Sequence, residues 1–221
     1  MTASRRIPRG DGDLTRGRIL EAAGQLFAQA GYAETSSKAV AALAQVDLAA
    51  INYHFGGRAG LYQAVLLEGH RRLISIDDLQ RIDAGQDSAE EKLGRLIDHL
   101  VERIYLERGW PIRVCAREML SPTVHSDVLI NDGVMPKSEI ICGIVAAIIG
   151  LPKDDPVVTR CMVNVMAPCL MLLVGGEAAP PPVISMLAMP SHTLSDHLKV
   201  FAIAGLRGIK YSLIADKSYG N

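Results

Sequence analysis

Six histidines and four cysteines are the obvious groups here for bond-making or metal-binding chemistry, and their spacing argues against both. His54, His70, His99, His125, His192 and His197 form no set that would hold a metal or activate a nucleophile. Cys115, Cys142, Cys161 and Cys169 show no CxxC pairing and lie in apolar surroundings, as expected for reduced core thiols. No glycine-rich phosphate loop is present. The sequence therefore predicts no catalytic residue, no metal and no cofactor. A different grouping stands out: Ala49, Asn52, Tyr53, His54 and Arg58. Asn52 can hydrogen-bond an adenine edge or a phosphate, and the small Ala49 can bring a methyl against a thymine methyl. Arg58 opens a helix, where backbone N–H groups already attract phosphate oxygens. This is equipment for recognition rather than for turnover.

The elements that must carry these residues are helices. Residues 1–12 read as a flexible basic arm with Arg5, Arg6 and Arg9, in which Pro8 and two glycines oppose helix formation. From Thr15 the apolar spacing becomes helical through Ile19, Leu20, Ala22, Ala23, Leu26 and Phe27, and Gly31 ends it. Thr35 or Ser36 caps a second short helix with Val40, Ala41 and Leu43 inward. After a break at Gln45–Val46, Asp47 caps a third, Leu48–Phe55, closed by Gly56–Gly57. Helices this short are unstable alone and must pack on the first. Ile51 and Phe55 would pin the third helix, leaving Ala49, Asn52 and Tyr53 outward, able to enter a major groove about 12 Å wide. A fourth helix follows from Arg58. No alternating strand pattern appears, so the expected class is all-α. The expected parts are the arm, a helix-turn-helix domain over 13–57, and a larger helical domain over 58–221 connected by helix 58–75.

Ser36 to Tyr62 resembles the DNA-binding signature of the TetR repressor family. Phe27-Ala28-x-x-Gly31-Tyr32, Val40-Ala41-x-x-Ala44, Tyr53-His54-Phe55 with Arg58, and Leu61-Tyr62 fall in the family's order and spacing. The resemblance implies that Tyr53, His54 and Arg58 contact DNA phosphates, with Ser37 and Lys38 doing so from the second helix. Taken singly, each has a plainer reading: Tyr53 as cover for the core, His54 and Asn52 as solvated groups, Ser37 as a cap. The chain departs from the pattern at Gln45, where glycine is usual, which implies a different backbone route through the turn. Asp47 replaces a Ser/Thr cap, Leu48 a lysine, and Arg58-Ala59-Gly60 a Lys-Glu-Asp run. Fewer phosphate contacts from the third helix would leave Arg16, Arg18 and the arm to compensate.

Further on, Arg117-Glu118-Met-Leu-Ser121-Pro122-Thr123 and the later Asp154–Pro156 turn resemble the subclass with a CecR-like C-terminal domain. Family architecture implies a homodimer through helices 157–175 and 193–215, and the apolar Met162, Val163, Val165, Met166, Leu170, Leu173 and Val174 agree with it. Gly205 and Gly208 would allow close helix approach. A cavity between the middle helices would draw on Ile104, Tyr105, Trp110, Val114, Arg117, Glu118, Met119 and Met166, for each apolar one of which ordinary core burial is the simpler account. Methionine-rich walls suit an apolar or amphipathic small-molecule effector.

Composition sets the outer bounds. Hydrophobic residues make up 49% and charged residues 21%, enough apolar material for a packed core. Net charge is −1, but residues 1–75 carry nine Lys/Arg against six Asp/Glu, the sign a phosphate-binding module needs. The apolar runs Ile140–Leu151 and Val165–Val174 are shorter than the roughly 18 residues of a bilayer span. The N-terminus lacks a signal-peptide pattern, so a soluble cytoplasmic protein with no membrane partner is expected. Together these features imply a regulator, most simply a repressor released from palindromic double-stranded operator DNA by its effector. A helical enzyme or a protein-binding module is the alternative.

Overall fold

The computed structural model describes residues 9–107, 109–174 and 181–219, with side chains between residues 12 and 215. Among the described residues every regular element is a helix. In chain order these are α1 (Arg9–Glu34), α2 (Ser37–Ala44), α3 (Leu48–Phe55), α4 (Arg58–Leu73), α5 (Ile76–Ala84), α6 (Ala89–Leu106) and α7 (Trp110–Leu120). Then come the single turn α8 (Ser126–Val128), a π-helical stretch Leu129–Val134, α9 (Met135–Ile149), α10 (Pro156–Val174), α11 (Pro181–Leu187) and α12 (Ser191–Tyr219). They form two compact units. The first joins the chain through Gly69 to Gly109–Leu129, and the second joins the segment from His70 to the chain beyond Ile130. This differs from a boundary at residue 58: most of α4 stays with the first three helices, and α7 returns to them.

In the first unit α1 begins at Arg9 rather than Thr15. Gly10 and Gly12 each disfavour helix by about 1 kcal/mol, but extending an established helix adds one hydrogen bond per residue. The arm residues Arg5 and Arg6, and the side chain of Arg9, lie outside the described residues. Gly31 breaks α1 with φ 82° and ψ 175°, a backbone region that side chains do not tolerate. The core is Ile19, Ala23 and Phe27 of α1, Val40 of α2, Ile51 of α3, and Leu61, Tyr62, Val65 and Leu66 of α4. Leu43, expected inward, is half exposed. Trp110 of α7 lies against α1 where Gly24 leaves room, and a Cβ there would come within 2.3 Å of the indole. Its ring N–H donates to Glu21 Oε1 at 2.8 Å.

The second unit is built round aliphatic side chains of α6, α9, α10 and α12, including Leu93, Leu96, Ile97, Ile144, Val145, Val158 and Leu172. Ser75 with Asp78 and Ser88 with Glu91 form capping boxes that start α5 and α6. Pro136 sits in the first turn of α9, where its missing N–H costs nothing, whereas α10 continues through Pro168. The short α11 is opened by the consecutive prolines Pro181 and Pro182. Among the described residues α10 alone is long and apolar enough, by length and composition, to cross a membrane, which the uninterrupted runs in the sequence did not suggest. Val158, Cys161, Val165, Cys169, Leu172 and Leu173 bury one side of it in the unit's own core.

A candidate nucleic-acid interface

Side-chain caps start both α2 and α3. Ser36 accepts from the Ala39 N–H at 3.1 Å and starts α2, and Asp47 accepts from the Ala49 N–H at 2.8 Å and starts α3. Between them Gln45 adopts φ 54° and ψ 51°. The different route expected from the missing glycine is therefore not taken. Gln45 itself enters the left-handed conformation, at a steric cost that glycine would escape. Arg18 of α1 braces it, donating through Nη2 to the carbonyl oxygens of Ala44 and Gln45 at 2.5 and 2.9 Å. Arg18 is thus committed to the turn, and Arg16 lies over the Phe55 ring at 5.1 Å. Both are expected from the sequence to make up phosphate contacts, and each already has a partner inside the unit.

The far end of α3 is held as firmly. Gly56 closes it in the left-handed region, and a Cβ on Gly60 would lie only 2.0 Å from the Phe55 carbonyl oxygen. That close approach accounts for glycine in the Arg58-Ala59-Gly60 departure. Arg58 donates to the Thr35 carbonyl at 3.1 Å, and its guanidinium lies 4.3 Å from the Tyr32 ring centre. It therefore ties the start of α4 to the α1–α2 loop. Thr35 is buried, with its hydroxyl on the Gly31 carbonyl at 2.8 Å.

Only Ile51 of α3 is fully buried. Leu48, Ala49, Asn52 and Tyr53 are exposed, Tyr53 to 85%, and His54 is half-buried with its ring 4.9 Å from that of Tyr53. At roughly 100° per residue the four exposed positions occupy one continuous arc of the helix. On α2, Lys38 is exposed and Ser37 half-buried in the first turn. Of the seven residues expected at DNA, six lie on α2 and α3 and Arg58 begins α4, all within the first unit.

The residues expected to line a cavity are not gathered in this way. Trp110, Val114, Arg117, Glu118 and Met119 belong to α7 in the first unit, whereas Ile104, Tyr105 and Met166 border the core of the second. Four of the α7 residues have other duties. Trp110 covers Gly24, and Val114 faces Gly69, where a Cβ would approach it to 3.1 Å. Arg117 donates to the Gln29 carbonyl at 3.1 Å, near the end of α1. Glu118, buried, accepts from the Tyr62 hydroxyl at 2.8 Å, the Thr123 hydroxyl at 2.9 Å, the Thr123 N–H at 3.0 Å and the Ser126 hydroxyl. Burial opposes its charge, but these bonds hold its carboxyl below the usual range. Burial, and then the bond to Glu118, push the Tyr62 phenol well above its ordinary value. Met119 is exposed. Among the described residues no cluster of His, Cys, Asp and Glu could hold a metal.

Residues 19–65 match the model of bacterial regulatory proteins of the tetR family. Residues 89–206 match that of the C-terminal domain of the HTH-type transcriptional dual regulator CecR. A probable HTH-type transcriptional regulator, YttP of Bacillus subtilis (strain 168), is 30% identical over 83 residues, 38% of this chain, and the match spans 40% of that relative's length. Bacillus subtilis FadR, solved with stearoyl-CoA, superposes with a TM-score of 0.68 at 17% identity, covering 86% of this chain and 98% of FadR. AibR, solved with isovaleryl coenzyme A and operator DNA, gives 0.64 at 16% identity, covering 84% and 96%. The chain belongs to the tetR family of bacterial regulatory proteins, DNA-binding transcriptional regulators rather than enzymes, and carries a C-terminal domain of the CecR type.

Proposed function

We propose that this chain is a homodimeric repressor that α3 docks into the major groove of a palindromic operator and that a small-molecule effector releases. The observation that carries this reading is the exposed arc of α3, started by the Asp47 cap, closed by Gly56 and preceded by a turn that Arg18 braces. Asn52 and Ala49 face base edges, while Tyr53, His54, Ser37 and Lys38 contact phosphates and set register. Arg58 acts mainly by positioning. A bacterial regulator of this kind works in the cytoplasm, where its operator is.

Pairing of subunits is supported by apolar surface left open on the second unit. Val163, Leu170 and Met171 of α10 and Val200, Phe201, Ile209 and Ile214 of α12 are exposed. A Cβ on Gly205 or Gly208 would meet nothing within 4 Å. To read both halves of a palindrome, such a dimer needs its two α3 helices one DNA turn, about 34–36 Å, apart. The effector belongs to the second unit, beside Tyr105 and Met166, and is apolar or amphipathic. Acyl thioesters of coenzyme A, the molecules bound in the FadR and AibR structures, are the first class to test.

The test is fluorescence anisotropy of the full chain on its own upstream DNA. Salt-sensitive specific binding is expected, weakened at least ~10-fold by Tyr53→Ala with Asn52→Ala, and reversed by an acyl-CoA series. Binding indifferent to sequence and to both substitutions would overturn the reading.

A further inference from the structure

The groove-facing surface of α3 contains an uncommon set of side chains. Its four exposed residues are Leu48, Ala49, Asn52 and Tyr53. None is an arginine, lysine or glutamine. Guanine is gripped in the major groove chiefly by arginine or lysine, adenine by asparagine or glutamine, and thymine by apolar contact with its methyl group. Asp47, the acidic residue that begins α3, already uses one carboxylate oxygen as the cap on the Ala49 N–H. Leu48 is left 46% exposed at the first position of the helix, and Leu43 of α2 is 50% exposed. Lys38, the exposed cation of α2, lies on a different helix from this arc.

From this we infer that α3 selects A·T pairs at the centre of each half-site, with Leu48 and Ala49 packing on thymine methyl groups and Asn52 pairing with adenine. The inference rests on the DNA-binding reading and adds the base composition that the site requires. Contact with a methyl group would bury the exposed leucine surface against an apolar partner, whereas a phosphate or a guanine edge would itself lose hydration without a hydrogen bond in return.

Selection of the full-length protein against a random duplex pool, followed by thymine-to-uracil replacement in the enriched sequence, tests it. Uracil keeps every hydrogen-bonding group of thymine and removes only the methyl. The expected result is an A·T core in which one or two dT→dU changes per half-site each weaken binding roughly fourfold, the value of one buried methyl. Leu48→Ala should weaken binding to the thymine duplex by a similar factor and have little further effect on the uracil duplex. Lys38→Ala should weaken both duplexes equally. A selected core of G·C pairs, or indifference to uracil, would overturn the inference while leaving sequence-specific DNA binding intact. A pool with no enriched sequence would overturn both. The uracil arm uses the unaltered protein, so its outcome does not depend on how Leu48→Ala folds.

Discussion

Each unit has an apolar core of its own, but the polar contacts around the two cores differ in kind. In the first, each end of α3 and each neighbour of α1 is fixed by directional polar contacts: Arg18 on the turn, Arg58 on Thr35, Arg117 on Gln29, Glu118 on Tyr62. In the second, the core is a continuous aliphatic cluster, and ion pairs such as Lys199 with Asp98 and Arg207 with Glu90 lie at the rim. Aliphatic packing tolerates volume-conserving rearrangement, whereas a buried polar network has one satisfied arrangement. Under the proposed function, a reading head needs one geometry, and an effector and pairing domain needs some adaptability. The contrast matches that division of labour.

Breaking the largest polar tie gives the largest expected effect. Glu118→Ala strands the Tyr62 hydroxyl and the Thr123 and Ser126 donors, and should cost about 3 kcal/mol in urea unfolding. A rim substitution in the second unit, Lys199→Ala, should cost under about 1 kcal/mol. Equal costs would erase the contrast.

A second experiment addresses the exception inside the second unit. Lys137 is buried with Nζ 3.0 Å from His70 Nδ1. Burial, and then the Lys137 charge, lower the His70 pKa from 6.5 to about 4. The folded chain therefore resists a proton that the unfolded chain accepts. Stability should be full above pH 6.5, fall as pH drops below it, and level off near pH 4. The loss should be on the order of 2–3 kcal/mol, and His70→Gln should flatten that part of the profile. An unchanged profile in the variant would show that the pair does not govern stability there.

The smallest effect sharpens the account of the turn. Gln45→Gly removes the left-handed strain and should stabilise the first unit by up to about 1 kcal/mol, less the gain in unfolded-chain entropy. Arg18→Ala should destabilise the unaltered chain more than it destabilises the Gln45→Gly variant, a coupling that a double-mutant cycle measures directly.

The order of these elements was largely legible in the sequence, because it follows from local chemistry. Ser36, Asp47, Gly31 and Gly56 cap or break helices through their own backbone preferences, and Ile51 with Phe55 fixes which side of α3 faces outward. The start of α1 lies earlier than the sequence suggests because two glycines weigh less than an established helix that can extend. What the sequence could not supply was pairing at long range. That Arg18 supports Gln45, that Arg58 serves Thr35, and that α7 joins α1 through Trp110 and Gly24 depend on residues far apart in the chain. A motif such as Arg117-Glu118 specifies the side chains, while their partners are chosen only when helices pack and buried polar groups must find each other.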